Sequence, residues 1–128
     1  MEITDSKGKY KIKVDTERNI SWETNIGVWT QEDLNRFQEE YSTHILPLFT
    51  GKEWAISSDV RQYKTSPIDM DKHVAWKHAH GAKLGVIIVE SAVVKLQINK
   101  ASAGSQGFTV QAAVNEEEAS DWLAAQGF

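Results

Sequence analysis

The chain has 128 residues, 41% of them apolar and 25% charged, the balance of one globular domain and not of a disordered chain. It has no cysteine, which excludes disulfides, thiolate metal sites and a cysteine nucleophile. Lys and Arg number 14 against 18 Asp and Glu; the net charge of −4 argues against a general nucleic-acid binder, and no apolar run approaches the roughly 20 residues of a membrane-spanning helix.

The opening stretch, Met1 to Lys13, lacks the apolar segment of a secretory signal, so the expected location is cytoplasmic. Tyr10, Ile12 and Val14 alternate with Lys11 and Lys13, the period of a half-buried strand. With Lys7 and Lys9 this basic row suits a solvated sheet edge, and an edge is also a seam for self-association. Asp15 to Asn19 is a polar turn, after which Ile20 to Thr24 alternates again and completes a hairpin. Thr30 and Asp33 form a variant capping box, and Leu34, Phe37, Tyr41, Ile45 and Leu48 follow as one helical stripe. Pro47 should kink or end that helix before Gly51.

Glu53 to Val60 reads as a strand with small residues on both faces. Ser66-Pro67-Ile68-Asp69 starts a helix expected to reach about His80 and stop at Gly81. Gly85 to Glu90 is the continuous apolar run of a buried parallel strand. Ser91 to Ser102 fits either period; no Gly or Pro supplies a tight turn at Glu90-Ser91, which selects helix. Phe108 to Val114 is a strand, and Asn115 followed by three glutamates opens a last helix that buries Ala119, Trp122 and Leu123. This order predicts a single α/β domain over 1–128: an N-terminal β-hairpin, then alternating β/α units forming a mixed, largely parallel sheet flanked by helices.

The stripe ending in Ile45-Leu46-Pro47-Leu48, the run from Gly51 through Trp54-Ala55-Ile56-Ser57-Ser58-Asp59-Val60-Arg61, Trp76 before Gly85 to Val89, and the closing Glu117-Glu118-Ala119 with Trp122-Leu123 together resemble the SpoIIAA-like (STAS-like) domains across nearly the whole chain. The resemblance implies a compact β/α domain that usually has no catalytic activity. Sporulation-type members antagonise an anti-sigma kinase and are switched by phosphorylation of a Ser at the start of the helix after the central strand. Other relatives regulate transporters or bind lipids and other apolar ligands. The antagonists carry Asp-Ser-Ser/Thr-Gly at that helix start, whereas this chain has Lys64-Thr65-Ser66-Pro67, without the Asp and with Pro for Gly. Thr65 and Ser66 are therefore the candidate phosphosites, with a plain helix N-cap as the ordinary role of Ser66.

Asp69, Asp71, His73, His78 and His80 lie close in sequence. Ligands sharing a helix face need spacings of three or four, and only His73 with Lys77 or Trp76 with His80 stack directly; no metal is expected. Five tryptophans are many for this length. Either they fill a bulky core, or Trp29, Tyr63 and Trp76 edge an apolar cleft where the first helix meets the second. Trp29 precedes the helix cap, so it also has a structural use there. No nucleophile motif, phosphate loop or dinucleotide fingerprint is present, so neither a catalytic residue nor a cofactor is expected. Asp59 ends a strand, where it suits a site, a helix cap or a pair with Arg61. The leading expectation is a non-catalytic regulatory or protein-interaction module, working through the first two helices and the Arg61 to Ser66 loop with a protein partner or a second copy. The alternative is a binding protein for a small apolar ligand, lipid or aromatic, in the cleft of Trp29, Tyr63 and Trp76; an enzyme or metalloprotein using Asp59 and the histidines ranks last.

Overall fold

A computed structural model of the chain describes residues 1–64, 70–102 and 108–128. Among these residues, six strands form one sheet in chain order: β1 (Glu2–Thr4), β2 (Tyr10–Asp15), β3 (Ile20–Gly27), β4 (Trp54–Tyr63), β5 (Ala82–Ile88) and β6 (Thr109–Ala113). β1, β2 and β3 pair antiparallel, and β3 to β6 pair parallel. Helices α1 (Gln31–Glu40), α2 (Met70–Ala79) and α3 (Ala92–Ser102) connect the parallel strands, and α4 (Glu116–Ala125) follows the last. The fold is thus the expected mixed α/β sheet with flanking helices. The stretch after Ser91 is the expected helix, and the Ser91 hydroxyl accepts from Val93 N (3.2 Å) and Val94 N (3.3 Å) at its start.

Two expectations need correction. The basic strand β2 is not an edge: β1 pairs along it, with Ile3 opposite Ile12. Three residues are too short to show alternation, so β1 leaves no periodic signal. The connection after the central strand is also shorter than expected, because β4 continues through Arg61 to Tyr63, with Gly27 opposite Tyr63.

The local devices follow from side-chain chemistry. Asp15 Oδ1 accepts from Glu17 N (3.0 Å) and Arg18 N (3.1 Å), closing the β2–β3 turn, and Asn19 takes the left-handed conformation (φ 57°) that Asn tolerates. Thr30 and Asp33 make both bonds of the capping box at α1. The α-helical turns end at Glu40; a π-turn over Tyr41–Ile45 and a 3₁₀ turn over Leu46–Phe49 carry the chain past Pro47. That change of pitch turns Phe49 fully inward while Leu48 stays half-buried.

The sheet has a core on each face. Ile20, Leu84 and Ile88 pack with Ala119 and Leu123 of α4 on one. Trp29, Phe37, Tyr41, Phe49 and Trp54 dominate the other, where α1 lies. A fully buried Trp removes about 200 Å² from water, roughly 5 kcal/mol of gross stabilisation. Trp54 is such a residue, and its indole N–H donates to His80 O (3.1 Å). Gly81 (φ +101°) allows this approach, since a Cβ there would lie 3.2 Å from the indole nitrogen. At the β6 edge the Asn99 amide of α3 meets both main-chain groups of Ala112, accepting from its N–H at 2.6 Å and donating to its carbonyl at 3.4 Å. Among the described residues, no helix is long and apolar enough to cross a membrane.

Candidate functional site

β3 is an inner strand covered on both faces, so its alternation sorts two buried sets. Ile20 and Trp22 turn toward the α4 core. Ser21, Glu23 and Asn25 therefore turn toward α1 and α2, and all three are buried. α2 answers with His73 and Lys77, four residues apart on one face and likewise buried. Between these groups, β4, β5 and β6 lies a cavity of about 350 Å³. Ile56, Val60, Val86, Phe108 and Val110 are among its apolar walls, and Glu23, Asn25, Ser58, His73 and Lys77 supply its polar side.

The polar side is organised around a buried ion pair. The Lys77 ammonium contacts Glu23 Oε2, and the two side chains are only 4% and 1% exposed. The Tyr41 hydroxyl donates to the same carboxylate oxygen. Ser58 Oγ donates to Glu23 Oε1 (2.7 Å), and Ser21 Oγ donates to the Tyr41 hydroxyl (2.7 Å). Lys77 Nζ also lies 5.0 Å from the centre of the Phe37 ring and 4.8 Å from that of Tyr41, within cation–π range. Burial pushes the Lys77 pKa below the usual lysine value, against the pull of the Glu23 carboxylate. Burial and the Glu23 charge push the Tyr41 hydroxyl well above its usual value.

His73 stands next to this pair. Burial, helped by the Lys77 charge, pulls its pKa down to about 2, so the ring is neutral at pH 7. Its Nδ1 faces the Gln38 side-chain amide nitrogen at 3.2 Å; an amide NH₂ only donates, so Nδ1 accepts and Nε2 carries the proton. Among the described residues, His73 Nε2 and Asn25 Oδ1, and Asn19 Oδ1 away from the cavity, are buried without a hydrogen-bond partner. Native cores rarely leave such atoms unmatched. The first two belong to residues lining the cavity.

Of the residues singled out from sequence, Tyr63 lines this cavity and the two tryptophans do not. Trp29 is fully buried; its ring packs at 4.9 Å from Phe37 and 6.0 Å from Tyr63, and its N–H bridges Lys9 O and Ile26 O at 3.2 Å each. The position before the cap places Trp29 in the core as a staple. Trp76 is half-buried on α2 and stacks between His73 (6.0 Å) and His80 (4.5 Å). Thr65 and Ser66 lie outside the described residues. His78 and His80 direct Nδ1 at the carbonyls of Ala82 (2.8 Å) and Trp76 (2.7 Å), and no group of three His, Asp or Glu among the described residues is placed to hold a metal ion. Asp59 pairs with Arg61 at 2.7 Å; burial raises its carboxyl, and the Arg61 hydrogen bonds more than offset this and hold it below the usual range.

Sequence reasoning missed the Glu23–Lys77–Tyr41 cluster, Ser58 and Asn25. The available signal was the i,i+4 stacking of His73 on Lys77 together with the Ser21-x-Glu23-x-Asn25 alternation in a strand apolar on its other face. A second depression of about 350 Å³ over β1–β3 is lined by Glu2, Lys11, Lys13, Asp59 and Glu116. Its walls mix charged, polar and apolar side chains, and among the described residues no buried unpartnered atom belongs to them.

No protein-family model matches this chain, and no curated protein matches it significantly. Among solved structures, it is similar to an uncharacterised protein of the DUF3478 family from Shewanella loihica PV-4, described as having a SpoIIAA-like fold. The match has a TM-score of 0.65 and 16% identity, covering 89% of this chain and 93% of the other. The chain is an α/β protein with a SpoIIAA-like fold. The expected resemblance holds at the level of the fold.

Proposed function

We propose that the protein is a non-catalytic regulatory module that acts by holding a small, mainly apolar ligand between the sheet and α1–α2. One observation carries this reading: an apolar-walled cavity of about 350 Å³ meets a buried polar cluster in which His73 Nε2 and Asn25 Oδ1 lack partners. The state of the hydroxyls supports a binding role over a catalytic one. Tyr41 and Ser58 both spend their protons on Glu23, and Ser21 spends its proton on Tyr41. None is left aligned with a free base, as an activated nucleophile requires. Native mass spectrometry of freshly purified protein, beside a denatured control, tests the reading. A non-covalent adduct lost on denaturation is expected. A bare chain that also fails to take up any of a panel of ten-carbon amphiphiles would refute it.

A second reading has its own observation. Val93 and Leu96 of α3 are 63% and 67% exposed, and Val94 is 39% exposed. A row of large apolar side chains in water supports a protein contact, with a partner or a second copy, through α3. Sedimentation of the parent and of Val93→Ser/Leu96→Ser, with a pull-down for a partner, separates this reading from the first.

A further inference from the structure

The cavity specifies the head group of its ligand. Resting on the ligand-binding reading above, we infer that the site selects an uncharged amphiphile whose head both donates and accepts a hydrogen bond, a hydroxyl on an apolar tail, over carboxylate or ammonium heads.

The argument begins with charge. Glu23 and Lys77 neutralise each other at contact, so the polar side is already balanced. An anionic head would enter beside the Glu23 carboxylate, and a cationic head beside the Lys77 ammonium. Each would bring a net charge into a buried site without a free counter-ion, which is costly at low dielectric. Lys77 is not available as that counter-ion, because pairing with Glu23 and the faces of Phe37 and Tyr41 already engage it.

Hydrogen-bond polarity makes the choice sharper. With the Gln38 amide nitrogen facing His73 Nδ1, the proton sits on Nε2, and the unpartnered Nε2 is a donor. The unpartnered Asn25 Oδ1 is an acceptor. A carboxylate offers only acceptors and an ammonium only donors; a hydroxyl offers both. Sites built around such groups reject analogues that leave them unpaired far more strongly than they reject a change in tail length. The tail is bounded by size. At about 30 Å³ per heavy-atom unit, the cavity holds roughly a dozen non-hydrogen atoms. A ten-carbon chain with its head group fills that volume.

Isothermal titration of the full chain at pH 7 with n-decanol, decanoate and n-decylamine tests this. We expect n-decanol to bind about tenfold or more tightly than either charged analogue. Asn25→Leu and His73→Phe should each weaken n-decanol about tenfold, with folding checked by circular dichroism. The ligand series on the unaltered protein stands even where a variant fails to fold. Equal affinity for the three heads, or preference for a charged one, overturns the head-group inference and leaves the cavity as a ligand site. Silence from all three overturns the ligand-binding reading together with it.

Discussion

Removing one member of the Glu23–Lys77 pair should cost far more than removing both. At contact and an effective dielectric of about 20, the attraction is roughly 5 kcal/mol gross. Both side chains are nearly fully buried, so desolvation offsets much of that. Lys77→Met leaves the Glu23 carboxylate with only its two hydroxyl donors, Tyr41 and Ser58, and no counter-ion. Glu23→Gln leaves an unpaired ammonium between two rings. Each single change should cost about 3–5 kcal/mol. For 128 residues the unfolding entropy is about 0.27 kcal/mol per kelvin, so the melting point should fall by about 11–19 °C. The double variant Glu23→Gln/Lys77→Met keeps the amide oxygen as an acceptor and carries no buried charge. It should fall within about 2 kcal/mol of the parent, since an apolar isostere of an ion pair is often nearly neutral. Urea unfolding of the four proteins at pH 7 completes the cycle. Additive single effects, or a Lys77→Met cost below about 1 kcal/mol, would refute the reading of these residues as a closed buried pair.

Acid stability should carry the mark of His73. Its folded pKa of about 2 lies below the unfolded value of 6.5, so the unfolded chain binds the extra proton between the two. Stability is then complete above pH 6.5 and declines by about 1.4 kcal/mol per pH unit below it. Asp5, Asp33 and Asp59, held below their usual 3.8, add their losses only as pH falls further, through that value. Melts between pH 7 and 4.5 should show a fall that His73→Phe largely abolishes; an unchanged slope in the variant would sink the assignment. Asp5→Ala removes an acceptor that binds Arg36 Nε (2.6 Å), Arg36 Nη2 (2.8 Å) and Lys9 N (2.9 Å), loosening β1–β2 from α1. About 2 kcal/mol should be lost in urea titrations, less than for Lys77→Met because Arg36 is 24% exposed. Asn99→Ala should cost about 1–2 kcal/mol and speed amide exchange at Ala112; unchanged exchange would show that Asn99 does not hold that edge.

The architecture was legible where periodicity and caps are strong. Thr30 with Asp33 and Asn115 before three glutamates each specify a boundary by local chemistry, while the apolar run Gly85 to Val89 marks the existence of β5 but not its bounds, Ala82–Ile88. β1 was illegible because its pairing depends on β2, not on any pattern in Glu2-Ile3-Thr4. The site was half legible for a different reason. His73 and Lys77 share a face by spacing alone, but the carboxylate they meet is on β3, far away in sequence. Alternation shows that Glu23 and Trp22 point opposite ways; it does not show that both directions are interior. Tryptophan bulk marks a core as readily as a pocket, and of the two alternatives Trp29 follows the core.

The Asn99 amide presents Ala112 with one donor and one acceptor in the manner of a neighbouring peptide group, so β6 ends against a side chain that imitates the next strand by a single residue. A growing sheet would have to dislodge that decoy, and α3 with it, before adding a strand there. The opposite border is β1, three residues long. Backbone-templated stacking therefore meets a guarded margin on one side and a very brief one on the other. The fold gives two copies more to grip through side chains than through main chain.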